Sequence, residues 1–120
     1  MEVTFISIDQ KNHKIEYKAI AKQDGNGISF SDKSCENTVI YLKIKENKLH
    51  LLRQGEVTME MEFIPKEKTK GYYQNQLGLS FEFDVYCSLC IIKDERIDVH
   101  YEMILEDGTT NKQKLAFIIN

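Results

Sequence analysis

Arg53 is the residue of this sequence with the clearest capacity for binding chemistry. It follows Leu49 and Leu51 at two-residue spacing, so in a strand its guanidinium lies on their apolar side. Because an unpaired buried cation is costly, Arg53 needs partners or water. It is then either a structural plug or an anchor for a ligand carboxylate or phosphate, which a guanidinium binds bidentately. The sequence offers three tyrosine hydroxyls as partners: Tyr17, Tyr73 and Tyr101.

The second candidate is the Cys-x-x-Cys pair of Cys87 and Cys90. A structural zinc site takes four ligands, and the sequence has neither a second such pair nor closely spaced histidines. A thioredoxin-like role needs a strand–helix–strand setting, which is absent. Residues three apart on an extended strand point to opposite faces unless a bulge intervenes. We therefore expect two unrelated, buried or half-buried cysteines and no metal site.

No set of residues matches a catalytic motif. The sequence lacks a nucleophile elbow, a zinc-protease motif and a phosphate-binding glycine loop. Alternating carboxylates could form an acidic patch for a cation or a basic partner, but we favour a solvated strand face as their explanation. They are Glu56, Glu60, Glu62, Glu82 and Asp84. We name no catalytic residue and no cofactor, and an enzyme is the less favoured class.

Charge and composition limit the classes of molecule with which the protein would interact and its expected location. The formal net charge is -3 and the pI is about 5.6, and the one basic, aromatic cluster, at residues 66–73, is interrupted by Glu67. We therefore expect no nucleic-acid partner. No apolar run approaches the ~18 residues of a membrane span, and the first residues lack a secretory pattern. Three cysteines argue against a disulfide framework, so a reducing cytoplasm is the expected location.

Two-residue alternation predicts strands throughout the chain. The clearest case is Val57, Met59, Met61 and Phe63, which alternate with polar residues. The pattern and the turn residues predict strands near 2–9, 13–21, 27–31, 37–45, 47–53, 56–64, 69–74, 77–91, 95–105 and 111–119. Short strands joined by tight turns favour one all-β domain over residues 1–120. It would be an antiparallel meander barrel of eight to ten strands, with a β-sandwich as the competing architecture.

Barrel closure would bring a set of apolar and aromatic side chains together. They are Met59, Met61, Phe63, Phe81, Phe83, Tyr101, Met103 and Phe117. Such residues make either an ordinary packed core or the adaptable wall of a small pocket.

Several short segments, in this order, resemble the YwiB family. They are Leu52-Arg53-Gln54-Gly55, Met61-Glu62-Phe63, Tyr73 with Gly78, the run from Leu79 to Val85, and residues 99–103. The resemblance runs from about Thr38 to the C-terminus. It implies a calycin-like, lipocalin-like β-barrel of a small bacterial protein. Because the family has no established activity, the resemblance implies a fold and no function.

These observations lead to two functional hypotheses. The first is a cytoplasmic barrel that binds a small amphipathic or apolar ligand inside. Its expected site residues are Arg53, Tyr73, Tyr101, Met59, Met61, Phe81 and Phe83. The alternative is a protein–protein interaction module with a fully packed core, working through an outer face or the loop at 66–73. The sequence gives no oligomeric state.

Overall fold

The chain consists of strands and turns in a computed structural model that describes residues 1–120. The strands are β1 (Glu2–Asp9), β2 (Lys14–Asp24), β3 (Gly27–Ser31), β4 (Val39–Lys45), β5 (Lys48–Gln54), β6 (Val57–Phe63), β7 (Lys68–Asn75), β8 (Ser80–Ile92), β9 (Arg96–Ile104) and β10 (Thr110–Ile119). All ten predicted strands are present, with ends within three residues of the predicted ones. No helix is long and apolar enough to cross a membrane.

The sheet closes on itself as an antiparallel meander. Each strand pairs with the next, and β1 pairs with β10 from Val3 opposite Ile119 to Asp9 opposite Gln113. Closure satisfies the backbone groups of the first and last strands, which would otherwise be open edges. The predicted all-β meander barrel of eight to ten strands is confirmed, with ten strands, and the sandwich is not observed.

The inward-facing residues form one core. Nineteen buried residues make a continuous cluster. Phe5, Phe30 and Phe117 pack against one another, with ring centroids 5.3 to 6.3 Å apart. Phe63 contacts Tyr101 at 4.9 Å. The alternation seen in the sequence is therefore the pattern that fills the barrel interior.

The barrel has two distinct ends. The Arg53 end carries the turns at residues 10–13, 32–38, 55–56, 76–79 and 105–109. The terminal end carries the two chain termini and the turns at 25–26, 46–47, 64–67 and 93–95. Glu2 and Asn120 exchange backbone hydrogen bonds there, with N···O distances of 3.3 and 2.9 Å.

One irregularity interrupts the ladder between β8 and β9. Cys87 lies opposite Tyr101 and Leu89 opposite His100, so Ser88 is an extra residue in a β-bulge. After the bulge, Cys90 lies opposite Val99, and it packs against the core. The expected burial of the two cysteines is confirmed, with Cys87 buried and Cys90 half-buried. Their expected independence on opposite faces is wrong, because the bulge returns Cys90 to the inward side on which Cys87 lies.

Candidate ligand-binding site

A buried carboxylate lies at the Arg53 end of the barrel. Asp32 follows Ile28 and Phe30 at two-residue spacing, so it continues the inward side of β3, and its side chain is only 2% exposed. The Tyr17 hydroxyl donates a hydrogen bond to Asp32 Oδ1 at 3.0 Å. The Ser34 amide donates to the same oxygen at 2.9 Å, and the Ser34 hydroxyl also donates to it. These three donors compensate the carboxylate for lost water.

Arg53 supplies the opposite charge. Its Nε lies 2.9 Å from Asp32 Oδ2, while 32% of the side chain remains exposed. Nε is buried and its N–H is not aligned with an acceptor, so the contact is an ion pair without a well-formed hydrogen bond. The ion pair uses Nε, which leaves the two terminal guanidinium nitrogens for other partners.

Two tyrosines of this region have raised pKa values. Burial raises the pKa of Tyr17 above its usual value, and the Asp32 carboxylate raises it further. Burial also raises the pKa of Tyr101, against an opposing effect of the Arg53 charge. Both phenols therefore stay neutral to a higher pH than an exposed tyrosine does.

The loop that carries Asp32 is fixed against the turn between β5 and β6. Asp32 N donates to the Thr38 carbonyl at 2.9 Å, and Cys35 N donates to the Asp32 carbonyl at 3.2 Å. A Cβ added at Gly55 would lie 2.3 Å from Thr38 Oγ1 and 2.7 Å from the Asn37 carbonyl oxygen. Glycine at position 55 therefore lets the loop at residues 32–38 pack closely against the turn between β5 and β6.

A cavity of about 300 Å³ opens at this end, beside the ion pair. Nine of its fifteen lining residues are hydrophobic. The apolar wall consists of Phe5, Ile15, Ile40, Leu51, Met59, Met61, Tyr101, Met103 and Leu115, and the polar members are Ser7, Asp32, Ser34, Arg53, Asn111 and Gln113. The cavity thus combines an apolar wall with a few polar groups, as small-molecule sites do.

Of the site residues expected from the sequence, some line the cavity and others do not. Arg53, Met59, Met61 and Tyr101 line the cavity. Tyr73 and Phe81 lie at the same end but stack on each other outside the cavity lining, with centroids 4.8 Å apart. Phe83 is buried in the core, where its ring occupies the space that a side chain at Gly71 would need.

Sequence reasoning missed Asp32 and Ser34. It expected Arg53 to meet tyrosines directly, whereas Tyr17 reaches it through the Asp32 carboxylate. Had the alternation of Ile28 and Phe30 been continued past Ser31, it would have placed Asp32 inside. No signal of this kind marks Asn111 and Gln113, since they alternate with lysines in a polar strand start.

Comparison with known proteins places this barrel in a family. A model of a domain of unknown function, DUF1934, matches residues 3–117. The chain belongs to this family. The DUF1934 barrel is also similar to the crystal structure of the ywiB protein from Bacillus subtilis. That likeness covers 99% of this chain and 90% of the other, with a TM-score of 0.67 and 14% sequence identity.

The YwiB-like resemblance noted in the sequence is therefore confirmed. At this identity the solved structure supports the fold alone, and the family description brings no activity with it. No curated protein matches the chain.

Proposed function

We propose that this DUF1934 barrel binds a small amphipathic molecule in the cavity at its Arg53 end. The observation that carries the proposal is the apolar cavity beside an arginine whose terminal nitrogens are left over by its ion pair. In this proposal the apolar wall takes the body of the ligand and Arg53 takes its polar head. The barrel would act as a lipocalin-like carrier or sensor in the cytoplasm of a bacterium.

The volume and the charge balance define the ligand class. A cavity of about 300 Å³ is at the lower end of the range for small-molecule sites, so it suits a short chain or one ring system. Asp32 already offsets the charge of Arg53, so the site favours a head with one negative charge or a neutral acceptor over a polyanion. A medium-chain carboxylate has these properties.

Rigid presentation of the guanidinium supports the anchoring role. Asp32 is held by Tyr17 and Ser34, and it in turn holds Arg53 Nε. A side chain fixed in this way loses less conformational entropy when it binds a ligand. The structural plug and the ligand anchor are then two uses of the same arginine.

Calorimetric titration with decanoate and decanol tests the proposal, because the two probes share a chain and differ in the head group. Wild-type protein should bind both probes. Arg53→Met should weaken decanoate binding about tenfold or more and leave decanol binding nearly unchanged.

Arg96→Met is the matched control, because Arg96 also pairs through Nε with a carboxylate, Asp98 at 2.9 Å, but on the barrel exterior. It should leave the binding of both probes unchanged. If neither probe binds, and native mass spectrometry of gently purified protein finds no retained small molecule, the proposal is wrong.

A second candidate, a protein-interaction module, has its own observation in favour. The turn between β7 and β8 carries exposed apolar side chains, with Leu77 94% and Leu79 55% exposed, next to the half-exposed Phe81. Exposed apolar groups close together often mark an interaction surface. Substitution of Leu77 and Leu79 by serine would abolish partner capture in that case and leave decanoate binding unaffected.

A further inference from the structure

The bulge in β8 creates a pair of facing thiols. In a regular strand Cys87 and Cys90 would lie on opposite faces. With Ser88 as the extra residue, Cys87 is opposite Tyr101 and Cys90 is opposite Val99, and both of these partners are core residues. The two cysteines therefore occupy successive inward positions along one strand.

The Cys87 thiol donates to the Leu89 carbonyl oxygen at 3.2 Å, inside the Cys-x-x-Cys segment, and the two thiols are near enough to shift each other's pKa. Hydrogen bonding between the thiols lowers the pKa of Cys87 and raises that of Cys90, and burial opposes the first shift and adds to the second. The positive charge of Lys66 also lowers the pKa of Cys87. Cys90 is thus the thiol that keeps its proton, and Cys87 is the one that more readily becomes a thiolate.

The pair is accessible from one side only. Cys87 is 1% exposed, whereas Cys90 is partly exposed. Reagents in solution therefore reach Cys90 first.

Beyond Cys87, β8 has no backbone contact on the β7 side. The last two such contacts are the hydrogen bonds from the Lys66 amide to the Cys87 carbonyl, at 2.8 Å, and from the Cys87 amide to the Glu67 carbonyl, at 3.3 Å. From Ser88 to Ile92, β8 pairs with β9 alone. This segment can shift more easily than a strand held on both sides.

We propose that Cys87 and Cys90 form a redox-active dithiol that closes to an intramolecular disulfide by exchange with small-molecule disulfides. In the first step Cys90 loses its proton to solvent, and its thiolate attacks one sulfur of the small disulfide. A mixed disulfide forms and one thiolate leaves. In the second step Cys87 gives its own proton to the first small thiolate and attacks Cys90 Sγ. The second small thiolate leaves and takes up the proton that Cys90 released to solvent.

The exchange balances without another reactant. The dithiol is oxidised by two electrons, and the small disulfide is reduced to two thiols. Closure must bring the two sulfurs to about 2 Å from each other. The β8 segment beyond the bulge supplies the movement, because it has a neighbour on one side only.

The test uses the folded protein carrying Cys35→Ser, which removes the third thiol, and oxidised glutathione as the probe. Intact-mass analysis should show the loss of two hydrogens and no glutathione adduct, and peptide mapping should place the link between Cys87 and Cys90. Reduction with dithiothreitol should restore the mass. If both thiols stay free for alkylation, or if a stable adduct or an intermolecular disulfide forms instead, the proposal is overturned.

Two single variants in that background separate the roles of the sulfurs. Cys87→Ala should trap one glutathione on Cys90, because the second step cannot occur. Cys90→Ala should react far more slowly, because Cys87 is buried. Circular dichroism before the exchange verifies that each variant is folded, and equal adduct rates in the two folded variants would contradict the assigned order.

Discussion

The two ends of the barrel both carry cavities, and they differ in where their charges lie. At the terminal end, a cavity of about 360 Å³ has seven hydrophobic residues among its thirteen, and its charged members, Lys93 and Asp94, are exposed turn residues. At the Arg53 end, the cavity of about 300 Å³ includes the buried Asp32 and its ion pair with Arg53.

This difference suggests that the terminal end serves packing and that the Arg53 end serves binding. Apolar burial alone suffices where the chain termini meet, and it costs no desolvation of charge. At the Arg53 end, a carboxylate has been taken out of water, and a hydrophobic pair in its place would often be as stable or more stable. A charge placed against stability in this way is more consistent with a binding role than with packing.

The largest expected effect is at the terminal end. Ile97 lines that cavity and is almost fully buried. Ile97→Ala should lower the free energy of unfolding by about 3 kcal/mol, because it removes apolar contacts and leaves a void. Urea unfolding at low and high salt should give the same loss, and Ile97→Val should cost about 1 kcal/mol. If the loss of unfolding free energy in Ile97→Ala depended strongly on salt, charge would contribute to stability at the terminal end as well, and the described difference between the two ends would be wrong.

The next effect is at the ion pair. Asp32→Asn should lower the free energy of unfolding by about 2 kcal/mol, because it removes a charge and sets an amide donor against Arg53 Nε. The loss is moderate because Arg53 is one-third exposed and can reach water. Urea unfolding should show that the double variant Asp32→Asn, Arg53→Met is more stable than Asp32→Asn alone. If the loss of stability in the double variant equals the sum of the losses in Asp32→Asn and Arg53→Met, the two residues are not coupled.

The smallest effect concerns Tyr17. Tyr17→Phe removes one hydrogen bond to Asp32 and should cost about 1 kcal/mol near neutral pH. Tyr41→Phe, at an exposed tyrosine on the outside, should cost much less. Chemical unfolding of the three proteins measures both changes.

The pH dependence of Tyr17 has a defined sign. Its pKa in the fold lies above its unfolded value near 10, so its stabilisation is complete below pH about 10 and is lost as the pH rises further. Wild-type protein should therefore lose stability above that pH, and Tyr17→Phe should lose less. Equal alkaline losses in the two proteins would contradict the buried environment of the phenol.

Much of the fold could be predicted from local patterns. Alternation such as Val57, Met59, Met61 and Phe63 determines which side of a strand is inside, and turn residues mark where each strand ends. The ion pair could not be predicted in the same way. Its formation depends on how β3 and β5 pair with the strand between them, β4, in which Ile40 lies opposite both Phe30 and Arg53. This register brings the end of β3 near Arg53, and no local spacing encodes it.

The bulge at Ser88 illustrates the same limit. Nothing in Cys87-Ser88-Leu89-Cys90 distinguishes a bulge from a regular strand. Its position follows from the register that β8 adopts with β9 and from the contacts of Lys66 and Glu67 with the Cys87 backbone. Site residues that depend on one strand alone, such as Met59 and Met61, were predictable, and those that depend on two were not.

The pairing of the first strand with the last has a kinetic consequence. Val3 lies opposite Ile119, so the barrel closes only after nearly the whole chain is available. The neighbouring hairpins can form within microseconds, whereas the closing contact joins residues far apart in sequence. We expect folding on the millisecond-to-second scale of all-β topologies, limited by closure. During synthesis the growing chain would expose the edge of β1 until β10 has left the ribosome, which is the period of greatest exposure to aggregation.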